Sequence, residues 1–120
     1  MARFRVIEFQ AVRENLFTGE SGRIPIRAYA VVAAPGLCVH RAIELDEYWR
    51  IAHIPSGFAI SDVFYPTRDA ALAAAESLAG LVDWTLPAED LTAQPDWSSI
   101  AAEANRILAD AGGPPAEAGP

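Results

Sequence analysis

Two histidines, one cysteine and one serine are the side chains of this chain best suited to acid–base, metal or nucleophilic chemistry. His40 and His53 are the only histidines, and Cys38 is the only cysteine. Neutral imidazole and thiolate bind zinc, and imidazole also exchanges protons near neutral pH. Their spacing matches no zinc signature, so two solvated strand histidines are the simpler interpretation. We therefore predict no metal and no cofactor.

Ser56 lies between Pro55 and Gly57, three residues after His53. A nucleophilic serine needs an adjacent base and an oxyanion hole. The predicted turn joins two strands, whereas the nucleophile elbow of hydrolases joins a strand to a helix. Serine and glycine are also ordinary hairpin-turn residues. The sequence therefore favours a protein that is not an enzyme.

The first half of the chain predicts antiparallel strands, because its apolar segments are separated by short turn signals such as Pro35–Gly36. A first strand is expected at the edge of the sheet, followed by a meander of four. The predicted strands are Phe4–Val12, Ile24–Ala33, Leu37–Ile43, Tyr48–Ile54 and Phe58–Phe64.

The second half predicts helices. Thr67 is expected to cap a first helix, and Asp96 a second one that ends before Gly112, with one short turn over Ala88–Ala93 between them. The predicted fold class is α+β, a four- to five-stranded antiparallel meander with two C-terminal helices packed on one face. We expect a single domain over residues 1–111 and a disordered tail over 112–120, which has no apolar content to fold with.

Centring each hairpin on its turn predicts the sheet register. His40 then lies opposite His53, and one sheet face stays exposed with an aromatic and polar surface of the kind that marks interfaces. The alternative is that the first strand or the second helix covers this face. The predicted interface residues are Arg27, Tyr29, His40, Trp49, Ile51 and His53.

The net charge of −7 lies entirely in residues 65–120, since residues 1–64 hold seven arginines and seven acidic residues. An acidic half attracts basic surfaces. We therefore expect a partner protein with a basic surface, although helix caps and ordinary solvation of helix faces also explain the acids. The predicted acidic surface consists of Glu76, Asp83, Glu89, Asp90, Asp96 and Glu103.

Single-stranded nucleic acid is the alternative ligand, because arginines 27, 41 and 50 with Tyr29 and Trp49 form a basic and aromatic stripe. The predicted register divides these arginines between two faces, and the acidic half repels phosphate, so nucleic acid is disfavoured. No signal peptide and no transmembrane stretch is recognisable, which predicts a cytoplasmic protein without membrane contact.

The stretch from Trp49 to Gly57, with the His53–Gly57 turn, and the following Thr67–Ala71 resemble small uncharacterised proteins of phages and mobile elements. Those proteins show a Trp-led strand, a His-x-Pro-Ser/Thr-Gly turn, another strand and an Ala-rich helix ending near Asp-Trp, here Asp83–Trp84. In size and acidity the chain also resembles anti-CRISPR proteins, which work by binding. The resemblance to anti-CRISPR proteins implies an inhibitor of a host nucleic-acid-handling machine. A homodimer through the exposed sheet face is a further alternative.

Overall fold

The computed structural model describes residues 2–14, 21–42, 47–60 and 63–111. Within them one open sheet has four antiparallel strands in the order β1-β2-β3-β4, followed by helices, which confirms the α+β prediction. The strands are β1 (Phe4–Glu14), β2 (Ser21–Val31), β3 (Leu37–Arg41) and β4 (Trp49–His53); the helices are α1 (Arg68–Glu76), α2 (Ala88–Thr92) and α3 (Trp97–Ala111). The predicted tail, 112–120, lies outside the described residues.

Two consecutive turns join β2 to β3. Pro35 and Gly36 occupy the centre of the second, in which Leu37 N–H donates to Ala34 O at 3.1 Å and Gly36 has the predicted positive φ of 99°. The first turn is closed by a hydrogen bond from Ala34 N–H to Val31 O at 3.2 Å, and it contains no glycine or asparagine that would predict a turn from the sequence. It adds three residues, so the predicted register of this hairpin is wrong.

The correct register places Ala30 opposite Cys38 and His40 opposite Arg50. An odd shift moves a residue to the other face of a sheet, because side chains alternate. Consequently His40 and His53 lie on opposite faces, and their predicted pairing is wrong. The expected last strand, Phe58–Phe64, is also wrong in part: within its described residues and at Tyr65, only isolated bridges join the chain to β4.

Helix α1 covers one face of the sheet. Thr67 caps it as predicted, since its hydroxyl accepts a hydrogen bond from Ala70 N–H at 3.1 Å. Buried alanines let the helix approach β3 and β4 closely, and α3 packs on α1 rather than on the sheet. The buried Tyr65 hydroxyl donates to Leu108 O at 2.9 Å and thereby joins α3 to the segment beside β4.

The other face of the sheet is filled by its own side chains, among them several alanines and the Phe9 ring. The far end of β1 returns to the turn after β4, where Val12 N–H donates to Gly57 O at 2.9 Å. A second core thus forms without a helix, from Phe9, Ala11, Ala28, Cys38 and Ala52. In the part of the chain that the structure describes, no helix is long and apolar enough to cross a membrane.

Cys38 belongs to this second core and is expected to be chemically inert in the folded protein. Burial raises the pKa of its thiol to about 12, and its exposed fraction is 0%. Because the thiolate is the reactive species, a disulfide reagent at pH 8 should label native protein at least about 1,000-fold more slowly than urea-unfolded protein. Equal labelling rates would show that this core opens readily.

Candidate functional site

Three aromatic rings and two guanidinium groups form a continuous row at one end of the helix-covered face. The Phe4 and Tyr29 rings meet edge to face at 5.1 Å, and the Tyr29 and Trp49 rings lie 5.8 Å apart. The Arg68 guanidinium covers Phe4 at 4.8 Å and Tyr29 at 4.9 Å, and Arg41 covers Trp49 at 5.2 Å. We name these five residues the arginine–aromatic cluster.

The backbone register positions the arginine–aromatic cluster. Phe4 begins β1 opposite Val31, and the alternation of side chains puts its ring on the same face as Tyr29. Arg41 ends β3 and Trp49 begins β4, and the two residues are direct cross-strand partners. Arg68 is the first residue of α1, so the Thr67 cap fixes where its side chain leaves the helix.

The arginine–aromatic cluster can still accept a ligand, because its rings are only partly buried and Arg41 is exposed. Arg68 Nε is buried, and among the described residues it has no hydrogen-bond partner. A guanidinium group that stacks on a ring can also donate N–H bonds to carboxylate, carbonyl or phosphate oxygens. Flat rings beside such donors can hold a protein side chain or a nucleobase.

The structure brings together only part of the predicted interface. Tyr29 and Trp49 lie in the arginine–aromatic cluster, whereas Ile51 and His53 are buried beneath the helices and loops, with exposed fractions of 2% and 4%. The prediction that Ile51 and His53 lie on an exposed face is wrong, because α1 and the segment after it cover that face. The alternative was that the first strand or the second predicted helix covers this face. The first helix, α1, packs on it instead.

Arg27 and His40 lie apart from the arginine–aromatic cluster. Arg27 is exposed on β2 and lines a shallow groove of about 380 Å³ with Val6, Ile7, Glu8, Pro25 and Ile26. His40 is 4% exposed on the opposite face, where its Nδ1 lies 2.7 Å from Arg41 O and its ring 5.5 Å from Phe9. Its placement in an exposed interface is therefore wrong.

His53 and Ser56 form the only serine–histidine contact found among the described residues. The histidine Nε2–H faces two acceptors, Trp84 O and Leu86 O, both at 2.9 Å, which leaves Nδ1 to accept from Ser56 Oγ–H at 2.8 Å. The neighbouring donors are already engaged: Phe58 N–H binds Ser56 Oγ, and Gly57 N–H binds His53 O. Among the described residues, no pair of free donors forms an oxyanion hole beside Ser56, and the serine–histidine contact joins the β4 turn to the loop at 84–86.

The two histidines lie on opposite faces, and no group of three His, Cys, Asp or Glu side chains with ligand geometry occurs among the described residues.

The predicted acidic surface is divided by local partners. Glu76 pairs with Arg3 at 3.0 Å, and Glu103 binds Arg106, whose hydrogen bond lowers the pKa of that carboxyl. Thr85 donates to Asp83 and lowers its pKa. Four of the six predicted acids are exposed: Asp83, and Glu89, Asp90 and Asp96 around α2 and the start of α3.

No protein family, curated protein or solved structure matches this chain in the comparisons. Sequence analysis missed Phe4 and Arg68 as site residues. The signal that points to them is the Thr67 cap, which predicts that the helix begins at Arg68, beside the end of the sheet where β1 begins.

Proposed function

We propose that the protein is a non-catalytic binding factor that contacts a partner protein through the arginine–aromatic cluster. The observation that carries this proposal is the unbroken row of Arg68, Phe4, Tyr29, Trp49 and Arg41 at distances of 4.8 to 5.8 Å. Tryptophan, tyrosine and arginine dominate the binding energy of protein interfaces. The cluster combines all three in a partly exposed position.

The narrower proposal is that the partner is a host protein of the cytoplasm that handles nucleic acid, and that binding inhibits it. Such proteins present basic surfaces to phosphate. Glu89, Asp90 and Asp96 supply exposed negative charge that complements such a surface. Electrostatic steering of this kind makes the association rate fall as salt rises.

Single-stranded nucleic acid is the second candidate ligand, and the same cluster favours it. Stacked rings beside arginines hold bases and phosphates in many single-strand binders. The chain's net charge of −7 opposes this ligand. A protein partner is therefore the better-supported proposal.

The test is affinity capture from source cells with wild-type protein and three variants, with and without nuclease. Arg41→Ala and Trp49→Ala should lose a stoichiometric protein that wild type retains. Arg106→Ala removes an exposed arginine from α3 and serves as the matched control that keeps it. Capture of nuclease-sensitive nucleic acid alone would replace the protein proposal with the second candidate, and equal capture by all variants would exclude the cluster.

A further inference from the structure

The outer edge of β1 is an open strand edge. Val32 N–H donates to Arg3 O, which shows that the backbone N–H and C=O groups of the odd-numbered residues of β1 bond to β2. The even-numbered groups point away from β2, as Val12 N–H to Gly57 O at 2.9 Å confirms. Among the described residues, nothing pairs with the outward N–H and C=O groups of Val6 and Glu8.

The opposite edge of the sheet is covered. Trp49 and Tyr65 exchange two backbone hydrogen bonds of 2.8 Å, and His53 N–H donates to Phe58 O at 2.9 Å. Only the β1 edge therefore offers a described backbone ladder to another strand. An exposed edge is a template for pairing with a further chain.

The side chains on β1 suit such pairing. Val6 is 58% exposed, an unusual exposure for a large apolar residue, and lies between the charged residues Arg5 and Glu8. A valine at the centre of an open edge gains burial when a second strand adds beside it.

We propose that a second copy of this chain occupies the edge, with β1 antiparallel to β1 of that copy and Val6 opposite Val6 across a two-fold axis. Two four-stranded sheets then join into one continuous sheet. The interface is isologous, so the same surface serves both copies.

Hydrogen-bond parity and charge select this register. With Val6 on the axis, the outward groups of Phe4, Val6 and Glu8 are all used. A register centred on Ile7 instead pairs Val6 with Glu8 and Phe4 with Gln10, whose carbonyl already receives Arg23 Nη1 at 3.4 Å. With Val6 on the axis, Glu8 lies opposite Phe4 of the other copy.

Charge complementarity supports the second copy as the occupant. Arg68 lies 4.8 Å above the Phe4 ring, and its buried Nε lacks a hydrogen-bond partner among the described residues. The Glu8 carboxylate of the second copy arrives beside this guanidinium on the same face. The two Arg5 side chains lie diagonally across the other face, about 7–8 Å apart in backbone terms, where solvent and salt screen their repulsion.

The dimer does not depend on the proposed function, although the two surfaces meet at one end of the arginine–aromatic cluster. Pairing uses the Phe4–Arg68 end of the arginine–aromatic cluster and leaves Trp49 and Arg41 uncovered. Loss of partner capture by Arg41→Ala without loss of the dimer would separate the two surfaces. Loss of the dimer by Val6→Arg without loss of partner capture would separate them as well.

Sedimentation velocity over a concentration series tests the dimer. Wild type should approach twice the monomer mass of 12.9 kDa. Val6→Arg sets two guanidinium groups against each other on the axis and should raise the dimer dissociation constant at least about 100-fold. Val32→Arg is the matched control, because Val32 is 49% exposed but follows β2 on the inner side of β1, and it should dimerise like wild type.

A wild-type mass of 12.9 kDa at every concentration up to about 1 mM would overturn the proposal. A dimer that tolerates Val6→Arg would overturn it as well, since its contact would lie elsewhere. If the variant loses native near-ultraviolet dichroism, hydrogen exchange of the wild-type Glu8 amide decides instead. Protection that rises with protein concentration supports the dimer, and exchange independent of concentration contradicts it.

Discussion

Gly36→Ala is expected to lower the free energy of unfolding by about 4 kcal/mol or more, which would leave much of the protein unfolded at 37 °C. A Cβ atom at this position would lie 2.2 Å from Trp84 O, 2.3 Å from Trp84 C and 2.7 Å from Thr85 N. All three are backbone atoms, so relief requires the loop to separate from the β2–β3 turns. The φ of 99° adds strain for any residue with a side chain.

Urea unfolding followed by tryptophan fluorescence measures this loss. Gly80→Ala is the matched control, because a Cβ atom added there would meet nothing within 4 Å and the φ of Gly80 is not positive. This control should change the free energy of unfolding by less than about 1 kcal/mol. Equal midpoints for the two variants would mean that the loop at 84–85 does not rest on Gly36.

His53→Phe is expected to cost about 2–4 kcal/mol of unfolding free energy. The ring volume is nearly kept, but Trp84 O and Leu86 O lose their shared donor, and Ser56 Oγ loses its acceptor. The site is 4% exposed, so water cannot readily replace these bonds. The loop at 84–86 should loosen from β4, which the exchange rates of nearby amides would report.

Ser56→Ala separates the two sides of the histidine. It removes one hydrogen bond at a partly exposed position and should cost about 1 kcal/mol. Urea midpoints for both variants provide the comparison. A His53→Phe protein as stable as wild type would show that these hydrogen bonds are not needed to hold the loop.

Local signals in the sequence predicted most of the helices and strands but not the alignment of the strands. The alternation over 24–33 predicted a strand that overlaps β2, which begins three residues earlier and ends two residues earlier, and the Thr67 cap predicted the start of α1, because both signals act within a few residues. The turn from Val31 to Ala34 carries no such signal, yet its three residues invert the face of every side chain in β3 relative to β2. The β3–β4 register also differs from the predicted one by three residues, because His40 pairs with Arg50, and this second odd shift explains why His40 and His53 do not meet.

The site depends on contacts that are distant in sequence. Tyr29 and Trp49 were predicted as anchor residues from their type, but their neighbours Phe4 and Arg68 lie at the start of β1 and of α1. The carbonyl partners of His53 lie 31 and 33 residues along the chain. Only the packing of α1 and the 84–86 loop against the sheet brings such groups together.

The affinity of the captured partner for Arg41→Ala, compared with wild type and with Arg106→Ala, tests the central claim most directly. Isothermal titration calorimetry should show a loss of about 2 kcal/mol for Arg41→Ala, or roughly 30-fold in dissociation constant, and no change for Arg106→Ala. Arg41 is exposed, so its truncation should leave the core intact. An affinity unchanged by Arg41→Ala, or equally reduced by both substitutions, would contradict binding through the arginine–aromatic cluster.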